Sequence, residues 1–253
     1  MKISILQFKS NFGEIKENFD TVTRLIDSIS NNLPDVILLP ELWSTGYYPK
    51  PLQNFSDHNG YKTSNFLATI AKKYNINIIG GTIIVDEDNK FYNRCFIFDR
   101  YGKNIAVYDK IHLFSMTNEN EVFSAGNKIP MFNIDGIKSG ITTCYDLRFP
   151  ELFRKIALNK VSMIFLPAAW SLKRLEHWKI LTRARAIENQ IFIIAANSAG
   201  HSIIIDPSGN ILNEGGNGTE ILTVNINLKI IEEIKGIMNI LADYRNSDDL
   251  MIT

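Results

Sequence analysis

Short β-branched runs alternate with segments of helical period along almost the whole chain, and that alternation constrains the fold more than any other feature. Lys2 to Phe8 reads as a strand, and Phe19, Val22, Leu25, Ile26 and Ile29 then fall on one face of a 3.6-residue period. Asp35 to Pro40 is a buried strand, and a second helix around Phe66, Leu67, Ile70 and Ala71 leads to the strand Ile76 to Gly80 with its continuation Gly81 to Val85. Asp86 to Lys90 is a turn, so Asn93 to Phe98 pairs back on the preceding strand, and Asn104 to Asp109 follows. The second half repeats the alternation: helix Pro150 to Leu158, strand Val161 to Leu166, a helix around Trp178, Leu181, Ala184 and Ile187, and strand Ile191 to Ala196. Ser202 to Asp206 and Glu220 to Val224 are late strands joined across Pro207-Ser-Gly209, with a last helix near Lys229 to Met238.

Interspersed helices imply parallel crossovers, whereas the strand runs in the middle imply hairpins. Together they predict an α/β fold of two mixed β-sheets stacked face to face with helices outside, a four-layer αββα sandwich. A doubly wound single sheet is the competing architecture. Residues 1–253 read as a single domain, with no internal repeat or linker and a polar tail at Asn246-Ser-Asp-Asp-Leu.

Charge narrows the partners. Lys plus Arg and Asp plus Glu both number 27, so no net field attracts nucleic acid or an anionic membrane, and a small-molecule substrate fits better. No apolar stretch is long enough for a membrane span. The two cysteines, Cys95 and Cys144, have neither metal spacing nor a disulfide framework, and the N-terminus enters a strand without a signal layout; a reduced, cytoplasmic, metal-free protein is expected.

Cys144 ends the run Ser139-Gly-Ile-Thr-Thr143 and is followed by Tyr-Asp-Leu-Arg-Phe before a helix opens at Pro150. A cysteine on such a strand-to-helix turn presents its sulfur to solvent beside backbone N–H groups, as a thiol nucleophile requires. Alone, a cysteine is more often a core thiol. Two further strand ends supply what the thiol would need. Glu41, in Leu-Leu-Pro-Glu-Leu-Trp, can accept the thiol proton. Lys110, in Tyr-Asp-Lys-Ile-His-Leu-Phe, and the backbone N–H of Tyr145 can stabilise the oxyanion formed on attack at an amide carbonyl. Singly, Glu41 and Lys110 would be surface charges. A Cys-His-Asp arrangement using Cys144 with His112 or His177, and a catalytically silent binding protein, are the competing readings.

Leu39-Pro-Glu41 with Gly46-Tyr47, Asp109-Lys110-Ile-His-Leu-Phe114 and Cys144-Tyr-Asp-Leu-Arg-Phe-Pro-Glu151 resemble the three catalytic segments of the nitrilase superfamily of carbon-nitrogen hydrolases. Further matches are Asn18, Asn93, Glu119 seven residues before Gly126, Trp170 to Trp178, Ala184 to Gln190, and Gly200-His-Ser202 leading to Asp206-Pro-Ser-Gly209. The resemblance implies an αββα fold, a homodimer or higher homo-oligomer, no cofactor, and a triad of Glu41 as general base and acid, Lys110 as oxyanion stabiliser and Cys144 as nucleophile. It also implies that Glu119 is an accessory glutamate positioning Lys110 and the substrate amide; Glu121 has the wrong spacing to Gly126.

Within that superfamily the Cys144 segment and Ala-Trp170-Ser-Leu-Lys-Arg-Leu-Glu-His-Trp178 are most similar to the omega-amidase branch. Its substrates are dicarboxylic monoamides such as alpha-ketoglutaramate and succinamate; hydrolysis of deaminated glutathione, an N-carbamoyl amine or a nitrile is the alternative. Arg148 and Arg174 are the candidate cations for a substrate carboxylate, against ion pairing of Arg148 with Asp146 or Glu151, and Tyr47 and Trp170 are expected to wall the pocket. The chain departs from the pattern after Asn197, where only Ser198 and Ala199 precede Gly200 and relatives carry a longer excursion. The four histidines are expected to be structural, His58 in a loop.

Overall fold

The computed structural model describes residues 1–245, so the polar Asn246 to Leu250 stretch lies outside the described residues. In chain order, β1 (Lys2–Gln7) leads through α1 (Ile15–Ser28) to β2 (Val36–Leu38), and the two-residue strand β3 (Asp57–His58) precedes α2 (Tyr61–Tyr74). Four strands follow in succession, β4 (Asn77–Ile79), β5 (Ile83–Glu87), β6 (Lys90–Phe98) and β7 (Asn104–Asp109), and then the one-turn helix α3 (Glu119–Val122). A hairpin of β8 (Phe132–Ile134) and β9 (Ile137–Ile141) opens the second half, continued by α4 (Pro150–Ala157), β10 (Met163–Ala168), α5 (Leu175–Asn189) and β11 (Phe192–Asn197). The described chain closes with β12 (Ile203–Ile205), β13 (Ile211–Glu214), β14 (Glu220–Asn225) and α6 (Lys229–Ile237).

Two mixed sheets result. In the first, β1, β2 and β4 are parallel because α1 and α2 return the chain to the same end, and β14 adds antiparallel to β1. β4 and β5 lie end to end along one edge of β6, their register offset by one residue at the Gly80-Gly81 break, while β7 takes the other edge of β6. The β5–β6 turn holds Asp88 and Asn89 at φ 51° and 60°, the left-handed pair a two-residue hairpin turn needs. In the second sheet, the order is β13-β12-β11-β10-β9-β8, with β9, β10 and β11 parallel across the crossovers α4 and α5.

The central core lies between the sheets. Ile3, Ile5, Leu38, Ile97 and Tyr108 of the first sheet pack against Ile141, Phe165, Phe192 and Ile194 of the second. The period of two along β10 sends Phe165 into this core and Ile164 and Leu166 outward, where Phe153 and Ile156 of α4 and Trp178 of α5 cover them. Phe19, Val22 and Ile26 of α1 and Leu67 and Ile70 of α2 cover the outer face of the first sheet in the same way. Truncation of Phe165, fully enclosed between the sheets, to alanine would cost about 3–5 kcal/mol. This is the αββα sandwich; the single doubly wound sheet is excluded.

Three expectations need correction. Pro207-Ser-Gly209 turns the chain from β12 into β13, which the sequence reading lacks, and β14 then crosses to the other sheet to pair with β1. β8 is likewise absent from that reading. His58 lies in the short strand β3 rather than in a loop, its ring Nδ1 2.6 Å from Asp86.

Candidate active site

Glu41, Lys110 and Cys144 each sit just beyond a strand tip, at one end of the stacked sheets. Glu41 follows β2, and its N–H reaches across to the carbonyl of Ala168 at the end of β10, 3.4 Å away. Lys110 follows β7 directly; its N–H donates to Asn93 O (3.0 Å) and its carbonyl accepts from Gly126 N (2.9 Å). Gly126 is glycine for a steric reason, since a Cβ there would lie 2.1 Å from the carbonyl oxygen of Asp109. A 3₁₀ turn at Ser115–Thr117 and left-handed Asn118 then bring Glu119, the first residue of α3, back to Lys110.

Cys144 begins a 3₁₀ turn running to Arg148, with φ at 46°, a left-handed value that costs a non-glycine residue about 1 kcal/mol or more. Asp146 stabilises the turn by accepting from Thr143 N at 2.8 Å. It also accepts from the Tyr108 hydroxyl (2.6 Å) and from His112 N (2.9 Å), and His112 Nδ1 lies 2.7 Å away, so one buried carboxylate ties the Cys144 turn to the segment that carries Lys110.

Four groups converge. Lys110 Nζ lies 2.9 Å from Glu41 Oε1 and 3.0 and 2.8 Å from Glu119 Oε1 and Oε2. Glu41, Lys110 and Glu119 are at most 1% exposed and Cys144 is 8% exposed, so none is a surface charge and the thiol sits at the floor of a cleft rather than out in solvent. Two buried carboxylates and one ammonium leave one negative charge in excess, which needs hydrogen-bond donors to be tolerated. Ala169 N donates to Glu41 Oε2 (2.8 Å), Phe114 N donates to Glu119 Oε2 (2.8 Å), and the Asn93 amide donates to Oε1 of both carboxylates (2.9 and 3.0 Å). Asn93 is named in the sequence only as a match, without a role; Ala169 and Asp146 carry no local signal for theirs.

The electrostatics follow from this enclosure. Burial pushes the Cys144 thiol well above its ordinary range and the Glu41 charge pushes it further, against the opposing pull of Lys110. Burial works against the Lys110 ammonium, yet Glu41, the Cys144 sulfur and Glu119 outweigh it and hold the group charged. The resting site is therefore a neutral thiol beside a permanent cation.

A cavity of about 190 Å³ opens above Cys144, lined among others by Tyr47, Tyr145, Arg148, Trp170 and Arg174. All five expected lining residues are thus brought together. The Arg148 guanidinium stacks 4.6 Å from the Trp170 ring and approaches His177 Nδ1 at 3.4 Å, while Arg174 lies 5.3 Å from the Phe114 ring. Among the described residues no carboxylate lies within ion-pair distance of either arginine; Asp146 is taken by Tyr108 and His112 instead of Arg148. His112 stacks on Phe149 and is absent from the cavity wall, as is exposed His177, so the Cys-His-Asp arrangement is not assembled. The short Asn197 to Gly200 segment closes tightly: Asn197 Oδ1 accepts from Trp170 N (2.7 Å), and Nδ2 donates to Trp170 O (3.1 Å) and Gly200 O (2.7 Å).

The carbon-nitrogen hydrolase family profile matches residues 2–236, nearly the whole chain. The chain belongs to that family. This carbon-nitrogen hydrolase is 39% identical to the 2-oxoglutaramate amidase of Bacillus subtilis, with 96% of this chain and 97% of the relative covered. It is 36% identical to a hydrolase in the agr operon of Staphylococcus aureus, over 92% and 94%. Among solved structures, a branch 10 member of the nitrilase superfamily from Saccharomyces cerevisiae superposes with a TM-score of 0.87 at 28% identity, covering 94% of each chain. Among the described residues no helix is long and apolar enough to cross a membrane, and no group of three His, Cys, Asp or Glu side chains is placed to hold a metal ion.

Proposed function

We propose that this hydrolase cleaves a small omega-amide, the monoamide of a dicarboxylic acid such as 2-oxoglutaramate or succinamate, to the acid and ammonia through a thioester on Cys144. The observation that carries the reading is the pairing, in one small cavity, of the Cys144 thiol with two guanidinium groups that have no carboxylate partner among the described residues. An amide with an ionised group at its far end fits that polarity. The relative from Bacillus subtilis is named for such a substrate, which supports the choice.

Glu41 takes the thiol proton as Sγ attacks the amide carbon, so no free thiolate has to persist in the buried site. The oxyanion is held by the Lys110 ammonium and the Tyr145 N–H, donors fixed before the charge develops. Glu41 returns the proton to the departing nitrogen, ammonia leaves, and Glu41 then deprotonates the water that opens the thioester. Glu119 keeps Lys110 in place, and Arg148 with Arg174 receives the far carboxylate between the Tyr47 and Trp170 walls. Two unpaired thiols agree with a reducing cytoplasm, and a single domain assembling as a homodimer or higher homo-oligomer completes the reading.

The test is an ammonia-release screen across 2-oxoglutaramate, succinamate, glutamine, N-carbamoyl amino acids and simple nitriles. The acidic monoamides are expected to give the highest kcat/KM. A higher value for a nitrile or an N-carbamoyl amino acid would overturn the substrate assignment.

A further inference from the structure

Asn93 holds both of its N–H donors against carboxylates, and its own Oδ1 is buried with no partner among the described residues. A bare buried acceptor costs about 1–3 kcal/mol, so a group arranged this way calls for an explanation beyond packing. The amide orientation follows from its neighbours, because an ionised carboxylate only accepts and the opposite orientation would set oxygen against oxygen.

The two oxygens of Glu41 are not equivalent. Oε1 accepts from Asn93 Nδ2 at 2.9 Å and from Lys110 Nζ at 2.9 Å, which uses both of its lone-pair directions. Oε2 accepts only from Ala169 N, at 2.8 Å, and keeps one direction open. Its donor Ala169 lines the cavity together with Cys144, whereas Asn93 and Lys110, the donors to Oε1, do not. Lys110 alone would leave one direction on each oxygen.

We propose that Asn93 is a positioning residue for proton transfer: by filling the remaining site on Glu41 Oε1 it assigns the thiol proton to Oε2, the oxygen held by the cavity-lining Ala169. This rests on Glu41 being the base. In the step concerned the S–H bond of Cys144 breaks, an O–H bond forms at Oε2, the sulfur electron pair forms the S–C bond, and the same proton later leaves Oε2 for the departing nitrogen. Asn93 itself is buried and absent from the cavity wall. Its loss frees a second acceptor direction on Glu41, so the proton can be taken up at the wrong oxygen.

The experiment compares Asn93→Leu, which keeps the branched shape without donors, and the isosteric Asn93→Asp with the wild type in kcat, KM and the pH profile of kcat/KM on succinamate, with Glu41→Gln in parallel. For Asn93→Leu, kcat is expected to fall about tenfold or more with KM within about twofold, and the pH profile of kcat/KM to depart from that of the wild type. For Asn93→Asp, activity is expected to be lost on the alkaline side, where a third carboxylate faces Glu41 and Glu119. Folded variants with wild-type profiles, or a loss confined to KM, would overturn the proposal. So would failure of both to fold, which would make Asn93 a folding residue. Near wild-type activity in Glu41→Gln would instead refute Glu41 as base, a separate failure.

Discussion

The hydroxyl of Tyr108, fully buried in the core between the sheets, donates to Asp146 at 2.6 Å and so joins the strand before Lys110 to the turn of Cys144. Lys110 and Cys144 are carried by different sheets, and this contact links the segments that carry them. Tyr108→Phe keeps the ring and removes the bond. Asp146 retains its bonds to Thr143 and His112, so the expected loss of stability is modest for a hydrogen bond to a charged group, about 1.5 kcal/mol, with kcat falling more than KM rises. Urea unfolding and steady-state kinetics check both; unchanged kcat would mean that the clamp does not set the catalytic geometry.

Gly126→Ala tests how Lys110 is held. The added Cβ meets backbone at Asp109 and cannot be relieved by a side-chain rotation. Destabilisation of about 1–3 kcal/mol is expected, with loss of turnover as Lys110 shifts. Thermal unfolding and ammonia release measure the two effects, and wild-type values for both would show that the segment yields freely.

The buried thiols dictate how stability responds to alkali. Burial raises Cys95, and burial with Glu41 raises Cys144, above the unfolded value. The unfolded chain releases these protons above about pH 8.5 while the folded chain keeps them, so stability is full below that pH and declines as pH rises toward the folded values. Each thiol contributes up to about 1.4 kcal/mol per pH unit in the decline. Cys144→Ala is expected to reduce the slope between about pH 9 and 10 by about that amount. An unchanged slope would indicate a Cys144 that is already thiolate in the fold.

The sheets and the strand-end placement of Glu41, Lys110 and Cys144 were legible because hydrophobic period and strand ends are local properties. Glu41, Lys110 and Cys144 each follow an apolar run that can only be a strand, and the fold brings those ends together. The hairpin β8–β9 was legible too, in Asp135-Gly136 between apolar residues, a signal the reading passed over. β13 was not, since Ile211-Leu-Asn-Glu214 is an edge strand with no clean alternation of burial. The depth of the site could not be read either: whether Glu41 and Lys110 are surface charges or a buried pair depends on Asn93 and Ala169, which approach from distant segments. The same holds for Arg148, whose sequence neighbours Asp146 and Glu151 suggest an ion pair that the fold does not make.

Arg148→Leu addresses specificity. If the guanidinium receives the far carboxylate, removing it costs a charge-assisted bond of about 1.5–3 kcal/mol, or about one to two decades in kcat/KM for succinamate. An uncharged amide of equal length should lose far less. Equal losses on the two substrates would make Arg148 a structural partner of Trp170.

The covalent role of Cys144 is tested most directly by ammonia release from succinamate in wild type and Cys144→Ala, with intact-mass analysis of acid-quenched wild type during turnover. The expected result is one succinyl group attached to Cys144 in the wild type and a folded alanine variant with almost no turnover. Ammonia release at the wild-type rate by Cys144→Ala would contradict it.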